Sequence, residues 1–185
     1  MDSMIFVIFM MFMIFMIFTS TFREWFTVNG EEPEYDPEKW ESYADGNNCY
    51  AYAFDNHKER PGKPQPNNQA PHVFNCKSLH KWIKRDLIDK YGKDHSYKMV
   101  KLSKNTACPT GTHKIYLVHS GDDYHFYRLD SDGIWSHKPG ANEVTRLDGS
   151  NQIIDDPSTA DHDYDHYNYN TSCGFLCVPH IDEAF

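Results

Sequence analysis

Three segments of alternating side chains, close together in the chain, constrain its fold most strongly. Residues 114–120, 124–129 and 133–138 read KIYLVHS, YHFYRL and GIWSHK, and they are connected through GDD and DSDG. Side chains that alternate with a period of two indicate strands, and short Gly/Asp-rich connections are typical of hairpins. The pattern predicts an antiparallel meander of three consecutive strands, with a further strand before it at 96–102.

Helical patterns lie N-terminal to this meander. Residues 35–43 favour a short helix, because Asp36 can cap it and Pro37 fits its first turn. A second helix is expected at 48–58, and a third at 77–91, where apolar side chains recur on one stripe. Helices followed by an antiparallel sheet predict an α+β domain in which N-terminal helices pack on the sheet.

Residues 1–22 are a hydrophobic, low-complexity segment that we separate from the domain. Phenylalanine recurs there at every third position, a period that neither an amphipathic helix nor a strand requires. The apolar run at 4–18 is near the lower length limit for crossing a bilayer, and no basic residue precedes it. The segment is interpreted either as a membrane anchor or signal-like segment, or as a spurious extension. The first interpretation implies a membrane-associated or secreted protein, and the second an intracellular one.

Residues 23–185 are expected to form one domain with an irregular C-terminal tail from residue 150. The net charge of −9 and the lack of a basic stripe argue against a nucleic-acid partner. Five cysteines leave two states open, either all reduced or four paired with Cys49 free. The CGFLC stretch, 173–177, fits a disulfide or two packed thiols. The same tail contains two histidines four residues apart, but paired C-x-x-C knuckles are missing and no metal is predicted.

Cys49 follows two asparagines in DGNNCYAYA, at the expected start of the second helix. Unpaired amides and the dipole at a helix N-terminus stabilise a thiolate, which is the nucleophilic form of cysteine. We therefore expect an acidic, reactive thiol. Asn48 and the backbone amide of Cys49 are the expected donors to an oxyanion, and Tyr43 is a weaker second donor. The alternative is a buried structural thiol, as free cysteines commonly are.

A nucleophilic cysteine needs a base, and His125 and His137 are the candidates because they lie on neighbouring strands. If the connecting loop has an even number of residues, the two side chains face opposite sides of the sheet. If Gly133 adopts the left-handed conformation of a three-residue loop, both face the same side. In the second register His125 takes the thiol proton and His137 orients its ring. The alternatives are that His125 is held by Asp122 or Asp123, and that His137 faces solvent.

A cysteine at a helix start (NNCYAYA), a histidine on a strand (DYHFY) and a polar residue on the next strand resemble the papain-like fold. The likeness covers residues 45–140 and is greatest to the CHAP and NlpC-type amidases and peptidases. The YHFY motif departs from the glycine–histidine pair usual in CHAP domains. The resemblance implies a cysteine hydrolase that cleaves an amide or peptide bond through a thioester, without a cofactor.

The partner implied is a peptide or protein substrate, with bacterial cell-wall peptides as one class, and residues 4–22 are the candidate membrane contact. The alternative function is a catalytically inactive papain-like domain that serves as a binding or structural protein, for instance in a virion or on a surface.

Overall fold

The computed structural model describes residues 31–42, 44–57, 63–68, 74–92 and 103–179. The predicted strand at 96–102, Tyr43 and the segment at 1–22 lie outside the described residues. Within the described ranges no helix has both the length and the apolar character needed to cross a bilayer. The α-helices there are α1 (Pro37–Glu41), α2 (Cys49–Ala53) and α3 (Cys76–Tyr91). The strands are β1 (Thr112–His119), β2 (Tyr124–Leu129), β3 (Trp135–Ser136), β4 (Asp163–Tyr164), β5 (Tyr167–Asn168) and β6 (Thr171–Pro179).

The ends of α1 and α3 follow from local residues, and the predicted cap of α1 is confirmed. Asp36 caps α1 by accepting a hydrogen bond from the Lys39 amide at 3.1 Å. Asn75 and Ser78 form a reciprocal capping box at the start of α3. This helix ends at Gly92, whose positive φ of 82° suits a residue without a Cβ.

Helix α2 is shorter than predicted and ends at Ala53 rather than near residue 58. Asp55 adopts a left-handed conformation with φ of 50°. Its amide donates to Tyr52 O and the amide of Asn56 donates to Ala51 O, which is the Schellman arrangement of a helix end. Lys39 and Arg128 both pair with the Asp55 carboxylate, so residues distant in sequence hold the end of α2 in place.

The main sheet has the order β3-β2-β1-β6, and all neighbours are antiparallel. The predicted meander is therefore confirmed for β1, β2 and β3. The expectation of an irregular tail is wrong, because β6 pairs with β1 along its whole length and β4–β5 form a separate hairpin. β6 was missed because most of its side chains from Cys173 onward are buried on both faces, so the strand lacks the alternation that marks a half-exposed one.

Both faces of the sheet are covered. On one face, α2 and α3 pack against the sheet, and Leu79, Ile83 and Leu87 of α3 are fully buried. The other face is covered by the chain between β3 and β6, which contributes Ile154 and Tyr169. These layers establish the α+β class. The α2–α3 face is formed by Ile115, Leu117, Phe126, Leu176 and Val178, and the opposite face by Tyr116, Val118, Tyr127, Leu129 and Phe175.

Two disulfides hold β6 in place. Cys76 at the start of α3 bonds to Cys173, and Cys108 before β1 bonds to Cys177. Cys49 is free and buried, as in the second of the two predicted cysteine states. A bridge between Cys173 and Cys177 themselves does not form. The bridges span 97 and 69 residues, and in the chain-entropy model a loop of that length stabilises the fold by about 4–5 kcal/mol.

Candidate active site

Cys49 packs in the core of the α2–α3 face, against the edge of β2, where it contacts the backbone on both sides of His125. Its sulfur is 3.9 Å from the carbonyl oxygen of Tyr124, and the backbone amide of Phe126 donates a hydrogen bond to it. This edge of β2 is open because β3 pairs only with the last two residues of β2, Arg128 and Leu129. The chain then turns away, and the backbone of His137 bonds to Thr145 instead of to β2. The early departure of β3, which is shorter than predicted, therefore makes room for the start of α2.

The expectation of an acidic thiol is wrong. Burial raises the pKa of Cys49 to about 12, and the negative charge of Asp123 adds to the increase. Hydrogen bonds from the amides of Phe126 and Tyr50 lower the pKa, but by less. Relative to an unperturbed thiol, a value near 12 corresponds to about 4 kcal/mol, whereas a helix N-terminus supplies only about 0.3–1 kcal/mol. Desolvation therefore dominates, and Cys49 is protonated at neutral pH.

The two histidines lie on the same face of the sheet, in the second of the two predicted registers. Gly133 has a φ of 84°, and the Asp130 amide donates to Ile134 O at 3.0 Å, which closes the three-residue loop. Arg128 pairs with Ser136, so His137 comes next to Tyr127 and diagonal to His125. The bulged turn that glycine permits is thus what brings the histidines together.

A chain of hydrogen bonds links the histidines to a backbone carbonyl. His125 Nε2 lies 2.7 Å from His137 Nδ1, and His137 Nε2 lies 2.9 Å from Leu147 O. His125 is therefore held by His137 and not by Asp122 or Asp123. The expectation that His137 faces solvent is also wrong, because its side chain is fully buried.

This chain determines the tautomers of both rings. Burial lowers the pKa of His137 to about 4 and that of His125 well below its usual value, so both are neutral at pH 7. A carbonyl oxygen only accepts, so the Nε2 of His137 carries its hydrogen and its Nδ1 is a lone pair. His125 must then donate from Nε2. The remaining nitrogen of His125, Nδ1, is left unprotonated and can act as a base.

Asn48 holds the start of α2 through both the oxygen and the nitrogen of its side-chain amide. Its oxygen caps α2 by accepting from the Ala51 amide at 3.1 Å, and its Nδ2 donates to Pro64 O at 2.8 Å. The residue therefore holds the start of α2 and attaches it to the 63–68 segment. Its role as an oxyanion donor stays a prediction.

A cavity of about 370 Å³ opens in front of the histidine pair. The turn at 139–142 lines one side, and three tyrosines from the β4–β5 hairpin and the residue after it line the other. Tyr169 stacks on His125 with ring centroids 5.2 Å apart, and its hydroxyl donates to Asp123 at 2.8 Å. The tyrosines of this group are Tyr164, Tyr167 and Tyr169.

Lys138 is a site residue that the sequence reasoning missed. It is fully buried, and its ammonium donates to the carbonyl oxygens of Ala44, Gly140 and Asn142, each at 2.8 Å. Burial lowers its pKa to about 8. The residue links the segment before Cys49 to the turn that lines the cavity. Its position beside His137 and before a Pro-Gly turn was the one available signal.

Cys173, Cys177 and His162 of the tail are engaged in other bonds. Cys173 and Cys177 belong to different disulfides, and His162 Nε2 donates to Pro157 O at 2.7 Å. In the part of the chain that the structure describes, one group of three metal-ligand atoms lies close together, namely those of Cys76, His119 and Cys173. Two of these atoms are the bonded sulfurs of a disulfide, which are not thiolate ligands.

Comparison with known proteins gives one short sequence similarity. No family model matches the chain, and no solved structure matches it. "Insoluble matrix shell protein 1" from Ruditapes philippinarum is 56% identical over 45 residues. This stretch is 24% of the present chain and 30% of the shell protein, so the likeness covers a small part of both.

Proposed function

We propose that this protein is a papain-like cysteine hydrolase that cleaves an amide or peptide bond, with Cys49 as nucleophile, His125 as base and His137 as the third member. The hydrogen-bond chain from Leu147 O through His137 to His125 carries the proposal. It holds His125 in the tautomer whose Nδ1 can accept a proton.

The proton moves as the bond is made. The sulfur of Cys49 attacks the substrate carbonyl carbon while its proton passes to His125 Nδ1, and the C–N bond then breaks as the amine takes that proton. The resulting thioester is attacked by water, which gives its proton to His125. Collapse releases the carboxylic acid, and the thiol regains its proton. General-base assistance of this kind suits a thiol that is protonated at rest.

Two features support the developing charges. The start of α2 directs backbone amides, including that of Cys49, at the oxyanion. The second N–H of the Asn48 amide donates to the same oxyanion. The Lys138 ammonium lowers the pKa of the Cys49 thiol through its positive charge. His137 stays neutral and acts through His125, because its outer nitrogen donates to a carbonyl.

The papain-like topology is part of the same proposal. A cysteine at a helix start lies against an antiparallel sheet that carries His125 on β2, and its partner His137 directly follows β3. Two disulfides are typical of proteins that fold in an oxidising compartment. We therefore infer an extracytoplasmic hydrolase with peptide or protein substrates, of which cell-wall peptides are one class.

The proposal is tested with a mixture of peptides and cell-wall fragments, read by mass spectrometry for new amine and carboxyl ends. Wild type should produce them and Cys49→Ala should not, while both unfold at the same temperature. An electrophilic peptide probe should label Cys49 in wild type and far less in His125→Gln. Cleavage that persists in Cys49→Ala would contradict the proposal, as would a Cys49 that ignores the probe.

A second candidate is an extracellular structural or binding domain without catalysis. The named relative is a shell matrix protein, and Cys49 is only 6% exposed. In this case wild type leaves every peptide intact and the probe labels Cys49 no faster than it labels Cys49 in His125→Gln. The protein should instead sediment with an insoluble matrix, and Cys49→Ala should sediment equally.

A further inference from the structure

We propose that the cavity beside the histidine pair is a binding site for a cationic group, an amine or guanidinium such as a lysine or arginine side chain carries. The site lies between the carboxylate of Asp123 and the tyrosine rings of the β4–β5 hairpin. In catalysis such a site would select substrates with basic side chains, and this consequence rests on the proposed function. The binding itself does not depend on hydrolysis.

Asp123 supplies an uncompensated negative charge. It lines the cavity and is half-buried, and the hydroxyl of Tyr169 is bonded to one of its oxygens at 2.8 Å. It takes part in none of the ion pairs among the described residues. A partly desolvated carboxylate without a cation is costly, and a bound cation offsets that cost.

The tyrosines supply aromatic surface beside this carboxylate. The rings of Tyr167 and Tyr169 are stacked with centroids 5.9 Å apart, and Tyr167 is 49% exposed. A cation over the face of an exposed aromatic ring gains about 0.5–1 kcal/mol. Carboxylate and ring together select a cation over a neutral chain of the same length.

The two buried histidines that line the cavity and the nearby Lys138 do not favour an anion. His125 and His137 are neutral at pH 7 because they are buried. The ammonium of Lys138 donates its three hydrogens to the carbonyl oxygens of Ala44, Gly140 and Asn142. With a net charge of −9 on the whole chain, the long-range field also attracts cations.

The test compares Nα-acetyl-lysine methylamide with its norleucine counterpart, which has the alkyl chain without the amine. Dissociation constants are measured by NMR titration at low salt. Wild type should bind the lysine derivative about tenfold more tightly, and Asp123→Asn should remove this preference. Asp122→Asn is the matched control, because it removes the same charge from an exposed neighbour that does not line the cavity. The arginine derivative distinguishes guanidinium from amine.

Equal binding of the two derivatives to wild type would overturn the inference, as would a preference that survives in Asp123→Asn. Tyr167→Leu changes an exposed ring, so it should fold normally and weaken lysine binding about threefold. All titrations are repeated in Cys49→Ala. If wild type cleaves nothing, the proposed hydrolase is refuted. If Cys49→Ala still prefers the lysine derivative, the cation site is retained. Cleavage without preference refutes only the cation site.

Discussion

The two faces of the sheet differ in what their buried side chains do. Beneath α3 the buried groups of the helix are Leu79, Ile83 and Leu87, which have no protons to exchange. On the opposite face the buried set includes His125 and His137, whose pKa values are lowered by the same exclusion of water. The two histidines of the proposed chemistry therefore lie on the face away from α3. Cys49 packs in the core of the α2–α3 face, against the edge of β2.

The largest expected effect is on the rate of cleavage, for a substitution on the face that carries the histidines. His125→Gln should lower the rate of peptide cleavage about 10³–10⁴-fold, because glutamine cannot accept the thiol proton. The free energy of unfolding in urea should change less than it does for a substitution beneath α3. A variant that keeps more than a tenth of wild-type activity would show that this face is not catalytic.

The apolar face should behave in the opposite way. Ile83→Ala removes a fully buried side chain and should lower the free energy of unfolding by about 2–5 kcal/mol. The rate of cleavage per folded molecule should be unchanged, since α3 does not line the cavity. Urea denaturation and active-site titration measure the two quantities. A large loss of activity in the folded variant would mean that the faces are not independent.

His137 sharpens the comparison because it acts only through another residue. His137→Leu removes the acceptor that fixes the His125 tautomer, and kcat should fall about 10²-fold with little change in KM. His137→Asn retains an acceptor oxygen and should restore part of the loss. A leucine variant with the activity of the asparagine variant would show that the hydrogen bond between the rings has no effect on the rate.

The smallest expected effect is on pH stability. The pKa of His137 is lowered to about 4, so the unfolded chain takes up its proton near pH 6.5 and the folded protein does not. Stability from this residue is present above pH 6.5 and falls as the pH is lowered toward 4. The loss between pH 6.5 and 5.5 should be about 1 kcal/mol. Urea denaturation of His137→Asn should show a slope smaller by that amount, and equal slopes would contradict the burial of a neutral ring.

Local patterns predicted the parts of the fold whose causes lie within a few residues. Asp36 caps α1, and Gly133 permits the loop that sets the β2–β3 register. The shared face of His125 and His137 was foreseen as one of two registers for this reason. β6 could not be foreseen, because its partner β1 is more than 50 residues away and burial on both faces removes alternation.

The sequence by itself determined the order of the helices and of β1 to β3, the cap of α1 and the turn that permits the histidine pair, since these depend on backbone sterics and hydrogen bonds between near neighbours. Tertiary structure alone decided the disulfide pairing, the cavity and the protonation of Cys49. Its thiol is neutral because other elements exclude water from it, and the short α2 is too weak to offset that desolvation. Ionisation inside a protein depends on the groups that surround the site in space, which a local sequence pattern does not specify.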